Sequence, residues 1–232
     1  MRSDFLAAVV AAVVAAVLAL SSLSSAAAES VREQEIAECR PGEIATWGDG
    51  RDRPALSKPL VFVYWHAGAP AWFSSSQMMA VLKRAGRAWG GCGVESQIIA
   101  LVGNAELPPE AVVVQWSEPG SRGNFGLANL GQRTLALSPA MFALLRTRNP
   151  NYPAEQTLQM VVSHEMGHFF GLMAHSRRCV DVTSYYNDGK GGSCYARDLT
   201  QLKSVVEYRS ILPTACDIQR CRIANGLSPK AP

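Results

Sequence analysis

The chain has 232 residues, of which 48% are hydrophobic and 18% charged, and its net charge is +3. That apolar share argues against a disordered chain, and the length fits one sizeable core rather than a string of domains. A charge so near balance, with no basic run interleaved with aromatics, gives no support to a nucleic-acid partner.

Residues 1–28 read as a targeting segment. Arg2 precedes an apolar run from Phe5 to Leu20, and Ala26-Ala27-Ala28 offers a small-residue cleavage site before Glu29. An uncleaved anchor is the alternative, but the run falls short of the ~20 residues a comfortable span needs. Cleavage leaves a chain expected to be secreted or periplasmic, with no stable membrane association. Residues 29–57 are polar and rich in Gly and Pro, and read as a surface arm. Residues 58–221 are expected to form one folded domain, and 222–232 a flexible tail.

Within that domain, Pro59 to Trp65 has the content of a buried strand. Ser75 to Trp89 predicts a helix, because Met78, Val81, Leu82, Ala85 and Trp89 recur at helical spacing behind a serine cap. Ile98–Val102 and Val112–Trp116 are strand candidates, followed by the shorter Phe125–Asn129 and Thr134–Leu137. Pro139 to Arg146 reads as a brief helix. A long helix starts near Pro153 and runs to Phe170, apolar almost all round, as a helix crossing a domain centre should be. Asp198-Leu199-Thr200-Gln201 resembles a capping box that opens a last helix reaching about Leu212.

The chemistry lies at the end of the long helix. Of four histidines in the chain, three fall between residues 164 and 175: His164, His168 and His175. On a helix His164 and His168 share one face, about 6 Å apart along the axis, and can hold one Zn²⁺. Glu165 is turned away from that pair but can reach a water at the metal. Gly171 offers a left-handed C-cap, after which the chain turns back and makes His175 available as a third ligand. Two core histidines satisfied by carbonyl groups are the bland alternative. It requires burying two imidazoles and a carboxylate within five residues, which is costly unless they are paired or bound.

His164, Glu165, His168 and Gly171 match in register the signature of the metzincin zinc peptidases, which the chain resembles over residues 155–187. The family's third ligand follows the glycine by three residues, where this chain has Ala174. His175 comes one residue late, within reach if the backbone bulges by up to about 3.5 Å; Asp181 and Asp188 are the other candidates. Asp181-Val182-Thr183-Ser184-Tyr185 resembles the family's methionine turn beneath the metal, with Thr183 at the methionine position. The small secreted matrixin-like and snapalysin-like members are similar in size and layout.

The resemblance implies an α+β fold: a twisted, mostly parallel sheet with an antiparallel edge strand, a long active-site helix and a C-terminal helix. It implies one catalytic zinc and a secreted endopeptidase acting on protein or peptide substrates, as a monomer. Glu165 would be the general base. Tyr185 would contact the metal or the oxyanion, or else be an ordinary turn residue. Phe125, Gly126, Leu127 and Ala128 would form the edge strand that pairs with the substrate backbone. The late histidine and Thr183 leave room for a catalytically impaired binding module of the same fold. A structural, disulfide-stapled domain without metal is a weaker rival, and hydrolysis of a non-peptide amide is another.

Six cysteines, all beyond residue 28, point to disulfides in an oxidising compartment. The expected pairs are Cys179–Cys194 around the metal turn, Cys216–Cys221 near the C-terminus, and Cys39–Cys92 tying the arm to the body. Cys39 as an inhibitory thiolate over the zinc is a further reading.

Overall fold

Runs of β-branched and aromatic residues, separated by Gly- and Pro-bearing breaks, build one five-stranded sheet. The computed structural model describes residues 30–103, 105–151 and 153–228. The targeting segment expected over 1–28 lies outside these. In chain order the elements are α1 (Val31–Ala37), β1 (Leu60–Trp65), α2 (Ser75–Trp89), β2 (Ser96–Ala100), β3 (Val112–Trp116), α3 (Glu118–Ser121), β4 (Gly126–Asn129), β5 (Thr134–Leu137), α4 (Pro139–Arg148), α5 (Ala154–Phe169), α6 (Leu199–Ser204) and α7 (Ala215–Ala224).

The strand order is β2-β1-β3-β5-β4. All neighbours are parallel except β4, which runs antiparallel to β5 with Leu127 opposite Ala136. The fold is therefore α+β, a mostly parallel sheet with an antiparallel edge strand. β1 is almost wholly apolar, as a strand flanked on both sides and covered on its faces must be.

α2 begins with a capping box. Ser74 Oγ accepts from the Gln77 N–H at 3.2 Å, and Gln77 Oε1 accepts from the Ser74 N–H at 2.8 Å. Met78, Leu82, Ala85 and Trp89 form its buried face. That face meets α5, where the Trp89 indole N–H donates to the Ser163 carbonyl at 2.9 Å and the ring stacks on Phe170 at 5.5 Å. Gly167 makes the approach possible, because a Cβ there would lie 2.8 Å from Trp89 Cζ2. A glycine inside a helix costs about 1 kcal/mol relative to alanine. Burial of the indole against the helix offsets it.

Beyond residue 198 the chain departs from the sequence expectation. Asp198 caps α6 by accepting from the N–H groups of Thr200 and Gln201, but Gln201 Oε1 accepts from the Arg32 N–H instead of closing a capping box. The helix stops at Ser204, since Val205 is extended and Val206 is 82% exposed, so the apolar residues there have no core to face. The C-terminal helix is α7, which runs through Arg222 to Ala224. Asn225 then fastens the chain end, donating to the Phe170 carbonyl and accepting from the Ala55 N–H, each at 2.9 Å. Residues 222–224 thus continue α7 and Asn225 is buried, while Ile223, Gly226 and Ser228 are exposed.

Three disulfides close the body. Cys179–Cys194 is as expected, but the other pairs are Cys39–Cys216 and Cys92–Cys221. Cys216 and Cys221 both lie on α7, five positions apart. That spacing puts them about 7.5 Å apart along the axis and roughly 140° round it, beyond what a disulfide spans. Cys39 is bonded to Cys216, which removes it as an inhibitory thiolate. The bridges point to an oxidising compartment. Among the described residues, no helix is long and apolar enough to cross a membrane.

Candidate metal centre

α5 carries His164 and His168 on one face and ends in a Schellman turn. The Gly171 N–H donates to the His168 carbonyl and the Leu172 N–H to the Gly167 carbonyl, each at 3.1 Å. Gly171 adopts φ +111°, and a Cβ there would collide with the Arg53 carbonyl oxygen. No other residue fits this bend. It reverses the chain, and His175 arrives beside the helix. Ala174 is buried instead, its N–H bonded to Asp52 Oδ1 at 3.1 Å and its carbonyl accepting from Arg220 Nη2.

The ring centroids of His164, His168 and His175 form an equilateral triangle 5.2 Å on a side. One nitrogen from each lies within 4.8 Å of the others. Each Nδ1 faces an oxygen: the Val182 carbonyl at 2.8 Å, the Leu172 carbonyl at 2.7 Å and Asp49 Oδ2 at 2.6 Å. Carbonyls and carboxylates accept, so Nδ1 carries the proton and the Nε2 lone pairs are left for a ligand. His175 Nε2 is buried without a hydrogen-bond partner among the described residues, a position for which a native fold supplies a partner.

Burial, and then the neighbouring imidazoles, hold the His164 pKa well below 6.5. The same causes push His168 down to about 4. Burial also lowers His175, against the pull of Asp49. All three are therefore neutral at pH 7, the form that ligates. Three neutral imidazoles converging on one side of an open cleft could together hold a metal ion.

Glu165 is buried beside this triangle. Its Oε2 accepts from the Ala128 N–H of β4 at 2.8 Å. Burial pushes its pKa up to about 7, despite that bond. The close fit of β4 on α5 needs Gly126, where a Cβ would sit 2.9 Å from Glu165 Cγ and 2.5 Å from Val161 Cγ1. The Ser138 N–H donates to the Phe125 carbonyl at 3.0 Å, extending the β4–β5 ladder by one pair. In an antiparallel ladder this alternation directs Phe125 and Leu127 toward β5, and the backbone groups of Gly126 and Ala128 outward. A cavity of about 300 Å³ opens along this edge, with Phe125, Leu127, Met160, Val161, Tyr185 and Arg209 around the histidines.

The turn at 181–185 lies beneath the triangle, and its Val182 carbonyl orients His164. Thr183, buried within this turn, donates from Oγ1 to Asp217 of α7 at 2.6 Å. A hydroxyl bond thus anchors the turn. Tyr185 stacks on His175 with centroids 3.8 Å apart and stays 44% exposed. Burial and the nearby Glu165 raise its phenol above 10.

The other ligand candidates are occupied elsewhere. Asp181 accepts from Ser176, Arg178 and Thr214 in a buried network, and Asp188 accepts from backbone N–H groups of its own exposed loop. His66 bonds the Tyr64 hydroxyl at 2.6 Å. Sequence reasoning missed Asp49 and Asp52, which reach the site from the arm, and a 126-residue separation from His175 leaves no local pattern to find.

No family model and no curated protein matches the chain. A solved structure titled as the GM1-bound form of the ECX AB5 holotoxin contains a chain similar to this one, with a TM-score of 0.50 at 12% identity, over 82% of this chain and 92% of that chain. At that identity the likeness shows a shared fold. An archaemetzincin from Methanopyrus kandleri aligns with a TM-score of 0.37 at 19% identity, over 72% and 96% of the two chains.

Proposed function

We propose that the chain is a secreted or periplasmic zinc endopeptidase of the metzincin type, acting as a monomer on protein or peptide substrates. The observation that carries this reading is the triangle of imidazoles whose Nδ1 atoms are all engaged and whose remaining nitrogens converge. A zinc ion bound there supplies Lewis acidity and brings the pKa of water toward about 7.

The chain's own residues do the rest. Glu165 sits between the histidines and the edge strand, with a pKa matched to neutral pH. It takes the proton from the attacking water and delivers it to the leaving amine nitrogen. Tyr185 keeps its phenolic proton at neutral pH and donates a hydrogen bond to the oxyanion. The outward backbone groups of Gly126 and the Ala128 carbonyl pair with an extended substrate, while Phe125 and Leu127 wall the cleft and the Ala128 N–H holds Glu165. Such pairing selects an extended backbone with little regard to sequence.

The second reading is a metzincin-fold binding module without turnover, favoured by the bond that ties Glu165 to Ala128. One experiment separates the two. Oxidised, purified protein is assayed for bound zinc and for casein cleavage, beside His168→Ala. We expect one zinc per chain, cleavage abolished by chelation, and loss of both in the variant. Zinc without cleavage sinks the peptidase reading and supports the module; no zinc sinks both.

A further inference from the structure

α5 alone does not orient its third imidazole. His164 and His168 are fixed by the helix and by carbonyl oxygens nearby in the fold. His175 lies beyond the bend, and a segment more than a hundred residues earlier sets its orientation. Asp49 Oδ1 accepts from the His175 backbone N–H at 2.9 Å, and Oδ2 from its ring Nδ1–H at 2.6 Å. The Trp47 N–H donates to the His175 carbonyl at 3.0 Å. Asp52 Oδ1 accepts from the Met173 and Ala174 N–H groups at 2.8 and 3.1 Å, and its Oδ2 is held by Arg220 Nε at 2.7 Å. Downstream, the Arg53 N–H donates to the Gly171 carbonyl at 3.0 Å, and upstream Cys39 is bonded to Cys216. Residues 47–53 thus bracket the whole bend.

From this geometry we infer that Asp49 is a positioning residue of the metal centre, and that the arm is an integral part of the site rather than a removable latency segment. The inference rests on the zinc reading above. A carboxylate offers an acceptor to each of the two His175 donors. It also fixes the tautomer and raises the basicity of the opposite nitrogen. Asp49→Asn leaves one acceptor and sets an amide N–H₂ against the second donor, so it cannot serve both.

Two measurements test this. In the metal-free wild-type protein, nitrogen-15 NMR of the imidazoles is expected to show His175 as the Nδ1–H tautomer. The Nε2–H tautomer would overturn the inference, and this readout needs no variant to fold. Zinc affinity, by competition with a chromophoric chelator, is expected to fall about 10- to 100-fold in Asp49→Asn. The visible spectrum of the cobalt(II)-substituted variant should change with it, while the metal-free variant still unfolds in one cooperative transition. Zinc affinity within twofold of wild type and an unchanged cobalt spectrum overturn the role of Asp49 alone. Wild-type protein that takes up no zinc overturns the zinc reading and this inference together.

Discussion

Glu165→Gln is expected to stabilise the metal-free protein while destroying its activity. Burial holds the Glu165 carboxyl near pKa 7, against an ordinary 4.5. At about 1.4 kcal/mol per pH unit, keeping the ionised form in the folded state costs about 3 kcal/mol. The sign follows from a raised acid. Below 4.5 both folded and unfolded chains carry the proton, and there is no penalty. Between 4.5 and about 7 the unfolded chain releases its proton and the folded one keeps it, so stability falls as pH rises. Above that the full cost applies. Glutamine copies the protonated side chain and its bond to the Ala128 N–H. The variant should therefore match wild type at about pH 4 and exceed it by about 3 kcal/mol at about pH 8. For a domain of this size that is a rise in melting temperature of roughly 6–12 °C. Calorimetry of both proteins, oxidised and in chelator, at the two pH values reads this directly. Peptidase activity should drop by about 10²- to 10⁴-fold. A variant whose stability relative to wild type does not grow with pH would refute the burial argument, and wild-type cleavage by the variant would refute the role of Glu165.

Two further predictions concern the scaffold. Gly171→Ala should cost about 3 kcal/mol or more, from backbone strain and the collision with the Arg53 carbonyl. Urea denaturation checks this, and a loss below about 0.5 kcal/mol would show that the bend is not held as described. Removing Cys39–Cys216 by paired serine substitution should cost more than removing Cys179–Cys194, because the bridged separations are 177 and 15 residues. Loop closure entropy gives about 5 against about 3 kcal/mol; an equal or reversed order would contradict it.

Local patterns proved legible in this sequence, and long-range ones did not. The apolar spacing of Met78, Leu82, Ala85 and Trp89 marked α2 to the residue, because a buried helical face leaves a period of about 3.6. His164, Glu165, His168 and Gly171 were readable because one helix and its terminal bend bring them together. The late His175 was resolvable only as a possibility of reach, since the bend's shape depends on Arg53 and Asp52 packing from the arm. Leu199, Val205 and Val206 imitated a helical stripe, yet all three are exposed, and spacing alone cannot tell a core face from a coincidence. The two expected pairs other than Cys179–Cys194 failed for the same reason. Nothing near Cys39 in the chain announces α7, and only the folded path sets them side by side.

Two of the three bridges end on α7, at Cys216 and Cys221. A ribosome delivers those residues after the sheet and the histidine helix. Those two bridges must therefore wait until α7 has emerged. Until then only the short Cys179–Cys194 link can be made correctly, and an early oxidant would find Cys39 and Cys92 without their native partners, open to a wrong bond with each other.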